Sequence, residues 1–264
     1  MVRLEYRHPL DRYLRVERLP HIWCPGCGIG IFLNQFLRAL RELENKINLD
    51  KMVVISGIGC SGRISGYINL DGAHVLHGRA IPFAIGVKLA KPELKVVVIG
   101  GDGDIASIGL SHLIHAARKN VAISVIMINN LIYGMTGGQV APTTPKNVYT
   151  TSTPYGNKVK PLNIVKLVAT AGATYVARWS IAQPLQLMRS IVNLILHEEF
   201  GFLEVISICP EVFGRINGYR KPIDMVKELF RTCRIIKNFD PYNSDMEWGK
   251  IIPCGEYFRG GKKY

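Results

Sequence analysis

Asp102 stands between Gly101 and Gly103, and the pair Asn129-Asn130 ends 28 positions after it. A carboxylate and a carboxamide oxygen suit a hard cation such as Mg²⁺, and flanking glycines let a diphosphate approach the backbone. The neighbouring sequence shows how the two side chains would meet. Gly101 closes an apolar run, Lys95-Val-Val-Val-Ile-Gly100, and the asparagines close a second, Ser124-Val-Ile-Met-Ile128, with a helix-like stretch at 110–119 between them. Two buried parallel strands joined by a helix deliver Asp102 and Asn130 to one C-terminal sheet edge. Taken alone, a glycine-bounded Asp is also an ordinary helix N-cap. The matched second strand and the Asn pair carry the cation reading.

Thiols form the second group. Cys24 and Cys27 lie in the turn Trp23-Cys24-Pro25-Gly26-Cys27-Gly28, just before a helix whose N-terminus favours thiolates. Cys60 sits in the glycine-rich turn Ser56-Gly57-Ile58-Gly59-Cys60-Ser61-Gly62-Arg63, and Cys209-Pro210 ends a strand. Such turns converge on one sheet edge, so these cysteines can share one centre. Four thiolates serve zinc and [4Fe–4S] alike. A CxxC is also the spacing of a thioredoxin-like redox pair, but that pair follows a strand, and charged, proline-containing sequence precedes this one. Cys233 and Cys254 have no partner motif and read as buried or free thiols. Arg63, after the Cys60 turn, is a cation for a substrate carboxylate or a diphosphate. His74, His77 and Arg79 flank a turn ahead of another helix, while His112 and His115 read as packing or exposed residues.

The elements that must position these groups alternate. Apolar residues Phe32, Phe36, Leu37 and Leu40 at helical spacing predict a helix after Gly28. Strands are expected at 52–55, 95–100, 124–128, 174–177 and 202–208, with helices at 82–90, 110–119, 164–171, 184–197 and 224–230. The alternation predicts an α/β fold with a doubly wound, mostly parallel sheet. Residues 131–163 read as a long Gly-, Pro- and Thr-rich loop leaving the cation edge, a length that is usually functional or disordered. The organisation expected is an N-terminal arm at 1–22, one α/β domain at 23–213 and an extension at 214–264 packed on the domain or on a partner.

Composition narrows the class. With 264 residues, 48% of them apolar, the chain can bury one substantial core. No stretch reaches the roughly 18 apolar residues of a membrane span, and the charged start is not signal-like, so a cytoplasmic protein is expected. CxxC spacing in a non-secreted chain points to metal or redox work rather than disulfides. The net charge is +13, and no acidic residue occurs between Asp104 and Glu198. No basic run interleaved with aromatics accompanies it, which excludes the nucleic-acid class. A solvated basic face, an acidic protein partner or a phosphate-rich cofactor explains the charge.

The GDG–spacer–NN pattern resembles that of thiamine-diphosphate enzymes. The longer string GDGDIASIGLSHLIHAARKN…NNLIYGMTGGQVAPTTP resembles the beta subunit of 2-oxoacid:ferredoxin oxidoreductases, as do WCPGCG, SGIGCSGR and His77-Gly78-Arg79, over about residues 23–218. The SGIGCSGR and TGGQ–APTTP forms look most like 2-oxoglutarate-specific members, with pyruvate or branched-chain 2-oxoacids as alternatives. The resemblance implies thiamine diphosphate held through Mg²⁺ on Asp102, Asn130 and the Ile132 carbonyl. It implies a [4Fe–4S] cluster on Cys24, Cys27, Cys60 and Cys209. It puts Ile58, Gly59, Cys60, Ser61, His77, Arg79, Gly101, Gly103, Asp104, Gly134 and Met135 at the cofactor, with Arg63 and His77 in catalysis. Asp104 reads equally as a helix-start residue.

The implied reaction is oxidative decarboxylation of a 2-oxoacid with coenzyme A, the electrons passing through the cluster to ferredoxin. Thiamine activation also needs a carboxylate at the aminopyrimidine. No glutamate here matches it, so the resemblance assigns it to an alpha subunit and makes this chain inactive alone. Two other classes stand beside this reading. A thiamine enzyme without electron transfer has no use for four matched cysteines, and a non-catalytic Cys₄ metal protein has none for Asp102 and Asn130.

Overall fold

The computed structural model describes residues 8–258. Helix α1 (Gly28–Leu43) buries Ile29, Phe32, Phe36, Leu40 and Leu43 along one stripe, as its apolar spacing requires. It is followed by β1 (Met52–Ser56), β2 (Asp71–His74), α2 (Ala80–Ala90), β3 (Lys95–Gly101), α3 (Leu110–Arg118) and β4 (Ser124–Asn129). The small strands β5 (Ile132–Tyr133) and β6 (Gln139–Val140) come next, then α4 (Ile164–Ala171), β7 (Tyr175–Ser180), α5 (Pro184–Leu196) and β8 (Gly201–Ile206). Helix α6 (Pro222–Thr232) and strands β9 (Cys233–Ile235) and β10 (Ile252–Phe258) complete the described chain.

Eight strands form one sheet in the order β2-β1-β3-β4-β8-β7-β10-β9. From β2 to β7 every pairing is parallel. Every residue of β4, β7 and β8 is buried, the mark of strands covered on both faces. Helices α1 and α5 pack on one face around Val97, Ile99, Ile126 and Ile128. Helices α2, α3 and α4 pack on the other, around Val96, Val98, Val125 and Met127. The chain leaves β1 towards β2 on one side and resumes with β3 on the other. That reversal opens a crevice at the C-terminal ends of β1 and β3, where doubly wound sheets bind ligands.

Four features differ from expectation. Strand β2 was not anticipated because Asp-Gly-Ala-His has no β-branched residue; pairing with β1 alone makes it a strand. The 131–163 loop contains the β5–β6 hairpin and buries Thr143, Thr144, Thr150 and Asn157. Residues 252–258, where no strand was expected, form β10, which pairs antiparallel with β7 and parallel with β9. The chain also makes one π-helical turn at Asp104–Ile108 and another at Pro210–Gly214, each just past a motif and of a kind frequent at functional sites.

The first seven residues of the expected arm lie outside the described ones. Leu10 and Tyr13 are buried, and Arg15 N–H donates to the Tyr67 carbonyl at 2.8 Å. Among the described residues no helix is long and apolar enough to cross a membrane.

Candidate functional site

The turns after β1, β3 and β4 surround a cavity of about 220 Å³. Its walls are Ile58, Gly59, Cys60 and Ser61 from the first turn, Gly101 and Gly103 from the second, and Asn130, Ile132, Tyr133, Gly134, Met135 and Thr136 from the third, with His77 beside them. Tyr133 hydroxyl donates to the Gly103 carbonyl at 3.2 Å, tying the third turn to the second. A Cβ on Gly103 would collide with the Tyr133 ring, so the GDG turn has no room for a larger residue.

Three oxygens converge beside this cavity. One end of the Asn130 amide lies 2.8 Å from the Ile132 carbonyl oxygen and 3.0 Å from Asp102 Oδ1. As the NH₂, that end donates to both. Turned over, the amide presents Oδ1, and a carboxylate, a carboxamide and a carbonyl oxygen face one point. Mg²⁺ takes such oxygens while keeping water and phosphate oxygens in its remaining positions. Burial pushes the Asp102 carboxyl up to about 7, against the pull of hydrogen bonds from Thr143 and from backbone amides. Thr143 Oγ1 donates to Asp102 Oδ2 at 2.5 Å and so directs Oδ1 towards Asn130.

His77 is fixed through one nitrogen. Its Nδ1 lies 3.2 Å from the Ile58 carbonyl oxygen and 3.2 Å from Asp104 Oδ1. A carbonyl can only accept, so Nδ1 carries hydrogen and Nε2 is left as the acceptor of the neutral ring. Asp104 Oδ1 also accepts from Gly78 N–H at 2.6 Å. Its other oxygen is buried without a partner, in space that exists because Gly57 and Gly100 lack side chains.

The thiols gather next to the same edge. Cys27 N–H donates to the Cys24 carbonyl at 3.0 Å, closing the CxxC turn, and Gly28 N–H donates to the Ile208 carbonyl at 3.2 Å. That bond seats the start of α1 at the end of β8, beside Cys209. Trp23 Nε1 donates to the Cys60 carbonyl at 2.7 Å and draws the first cysteine turn to the second. A Cβ on Gly134 would lie 3.5 Å from Cys209 Sγ and 3.7 Å from Cys60 Sγ, so Gly134, a wall of the cavity, sits against both sulfurs. Burial raises the Cys27 thiol to about 12 and the Cys60 thiol to about 11, and neighbouring sulfurs add to both shifts. Cys209 is shifted upward for the same first reason. Cys24 is exposed. Among the described residues no three His, Cys, Asp or Glu side chains close on a single ion.

Of the residues expected at the cofactor or in catalysis, three do not line the cavity. Arg63 lines a separate cavity of about 410 Å³ with Arg15, Arg18 and His74. Arg79 caps α2 and meets His112 Nε2 at 3.1 Å. Asp104 turns inward to the Gly78 amide and His77. Polar backbone and side-chain partners nearer than the cavity claim the last two. Cys233 and Cys254 are buried at the β9–β10 pairing, away from the other thiols. The sequence reading missed Thr143. Its signal, a Thr pair between prolines, identifies a loop but not which oxygen it braces.

The family description "Thiamine pyrophosphate enzyme, C-terminal TPP binding domain" matches residues 57–205. The 2-oxoglutarate synthase subunit KorB of Methanocaldococcus jannaschii is 52% identical over 250 residues, spanning 95% of this chain and 92% of that one. A 2-oxoacid:ferredoxin oxidoreductase subunit beta of Saccharolobus solfataricus is 38% identical, spanning 90% and 81%. The solved 2-oxoglutarate:ferredoxin oxidoreductase from Magnetococcus marinus, with 2-oxoglutarate, coenzyme A and succinyl-CoA bound, is similar at a TM-score of 0.84 and 34% identity, over 99% of this chain and 88% of that chain. On these likenesses the chain belongs to the thiamine-diphosphate-binding beta subunits of the 2-oxoacid:ferredoxin oxidoreductase family.

Proposed function

We propose that the chain is the beta half of a cytoplasmic 2-oxoglutarate:ferredoxin oxidoreductase, holding thiamine diphosphate through Mg²⁺ and a [4Fe–4S] cluster. One observation carries the reading: the oxygens of Asp102, Asn130 and Ile132 converge beside the cavity that Cys60 lines, with Gly134 against the sulfurs of Cys60 and Cys209. A cofactor held by the oxygens would then share its cavity with Cys60.

Thiamine diphosphate supplies, when bound, the carbanion nucleophile and electron sink for decarboxylating a 2-oxoacid. Asp102 would give the Mg²⁺ a charged oxygen, and Asn130 and Ile132 neutral ones. Gly101 and Gly103 let the diphosphate lie on the backbone. His77 offers Nε2 to a proton at the reacting end. The four cysteines, as thiolates, would hold the cluster that takes electrons singly, and Gly134 keeps any side chain out of the path. Arg63, in its separate cavity, and Arg79, on His112, have no part in this mechanism.

The cavity is smaller than the roughly 300–1,000 Å³ of complete ligand sites, and no carboxylate lines it. Both facts support an alpha partner that closes the site and brings the carboxylate for the aminopyrimidine. Coenzyme A and an acidic ferredoxin complete the reaction, and the 2-oxoglutarate preference follows that named for the relatives.

The test is anaerobic co-expression with the alpha subunit. Purified complex should contain iron and thiamine diphosphate and reduce ferredoxin with 2-oxoglutarate and coenzyme A faster than with pyruvate. A complex that decarboxylates without reducing ferredoxin, or that carries zinc in place of iron, overturns the reading.

A further inference from the structure

We propose that a buried chain of side chains, Arg178–Glu204–Asn129, sets the turn that aims the cation ligands, which makes all three positioning residues of the cofactor site. The proposal rests on the reading of Asp102, Asn130 and Ile132 as ligands. Between two of them stands Leu131, a residue with a φ of 69°. That left-handed conformation crowds Cβ against the backbone and is disfavoured for any residue but glycine, with Asn and Asp partial exceptions. A leucine stays there only when its surroundings hold it.

Both polar groups of Leu131 are held. Its N–H donates to Asn129 Oδ1 at 3.1 Å, and its carbonyl accepts from Thr144 Oγ1 at 2.7 Å. The Asn129 amide has a choice of two faces, and only one presents oxygen to Leu131. Glu204 makes that choice: its Oε1 accepts from Asn129 Nδ2 at 2.8 Å. Glu204 is in turn fixed by Arg178, whose Nε donates to Oε2 at 2.6 Å. Arg178 NH1 donates to the Ser244 carbonyl at 2.6 Å, and NH2 donates to Asn163 Oδ1 at 3.3 Å. The chain crosses three neighbouring strands, since Glu204 of β8 is paired with Met127 of β4 and with Arg178 of β7.

A packing role alone explains this poorly. Arg178, Glu204 and Asn129 are each at most 1% exposed. Apolar residues of the same volume often replace a buried ion pair with no loss of stability. What they cannot do is orient an amide. The free end of this network is the N–H of the residue between two ligands, and outer partners of this kind set how ligands present themselves to a metal.

The test uses the complex with its alpha subunit, stripped of cofactor and titrated with thiamine diphosphate and Mg²⁺. Glu204→Gln keeps the shape but offers one acceptor where two donors arrive, so the Asn129 amide should turn over and lose Leu131. Affinity for the cofactor pair should fall roughly ten- to a hundredfold, the usual loss for such outer partners. Saturating cofactor should restore kcat, and cluster absorbance and subunit assembly should match wild type. Where Glu204→Gln does not assemble, Asn129→Ser takes its place: the ion pair survives, the hydroxyl is too short to reach Glu204, and the same loss is expected. Wild-type affinity in the variant that assembles overturns the proposal while leaving the functional reading intact, and so does a fall in kcat at saturation with affinity unchanged. A wild-type complex that needs no thiamine diphosphate overturns both.

Discussion

The two sites on this sheet edge are built in opposite ways. The proposed oxygen site is organised by the chain itself: Thr143 fixes the Asp102 carboxyl, and a held Leu131 turn spaces Asn130 from Ile132. The thiol turns are tied together by the Trp23 indole N–H and by backbone N–H groups of Cys27 and Gly28, but burial holds the Cys27, Cys60 and Cys209 thiols towards their protonated form. The contrast follows from chemistry. Mg²⁺ binds weakly and gains from oxygens already in place, whereas thiolate–metal bonds are strong enough to ionise and gather their ligands.

The most severe way to break the comparison is at the sulfurs. Replacing Cys24, Cys27, Cys60 or Cys209 with Ser should remove the visible absorbance near about 400 nm expected of thiolate-bound iron–sulfur centres. Cys233→Ser and Cys254→Ser should leave it unchanged, because both thiols lie at the β9–β10 pairing. A Cys60→Ser complex with full absorbance would show that the four thiols do not act as a set.

The oxygen site should fail more gradually. Asp102→Ala removes the one charged ligand, and cofactor affinity should fall by more than about 100-fold, beyond the loss usual for supporting residues. Asp102→Asn keeps the shape and should be intermediate. Thr143→Val removes only the brace on Oδ2 and should cost about tenfold, or about 1.4 kcal/mol. Titration of thiamine diphosphate with Mg²⁺ into each assembled variant ranks them. A Thr143→Val loss as large as that of Asp102→Ala would mean that the threonine is itself a ligand.

Acidity sharpens the contrast without a mutation. Cys27 and Cys60 have thiols raised to about 12 and about 11, so the folded metal-free chain keeps them protonated. Unfolded thiols ionise near about 8.5. The raised folded values therefore stabilise the metal-free fold below that pH, and the contribution is lost as pH rises towards 11 and 12. Melting of metal-free protein should weaken above about pH 8.5, while iron loading, which must expel protons, should become easier over the same range. Cluster-loaded protein should lack the alkaline loss. Equal alkaline sensitivity in both forms would assign the effect to other groups.

Much of this was legible in residue order because strand ends are where a doubly wound sheet puts its chemistry. The strands that lead to Asp102, Asn129 and Cys209 were read from their apolar runs, and helix α1 from Phe32, Phe36 and Leu40. What escaped depends on partners distant in sequence. Thr143 is 41 positions from the carboxylate it braces, and Glu204 is 75 from the amide it orients. Arg63 and Arg79 show the converse. Their place next to a motif suggested a role, but a side chain several bonds long is placed by its neighbours in space: Arg79 meets His112, and Arg63 lines the separate cavity with Arg15 and Arg18. Strand β10 was hidden because Pro253 and Gly255 are poor strand residues, and pairing with β9 and with the edge of β7 makes them one.

The smallest effect tests the finest distinction. Ile132 is both a core residue and, through its carbonyl, a proposed ligand. Ile132→Val shortens a fully buried side chain by one methylene, which typically costs about 0.5–1.5 kcal/mol of stability. The carbonyl is untouched, and the β5–β6 pairing of Ile132 with Val140 holds the backbone in place. Thermal melting of the complex should therefore drop slightly, while affinity for thiamine diphosphate and Mg²⁺ stays at the wild-type value. The two readouts must separate if the oxygen site is set by backbone and by its braces. A loss of affinity in Ile132→Val comparable to that of Thr143→Val would mean that side-chain packing in the hairpin sets the ligand, and the contrast between a site built in advance and one gathered by its metal would weaken.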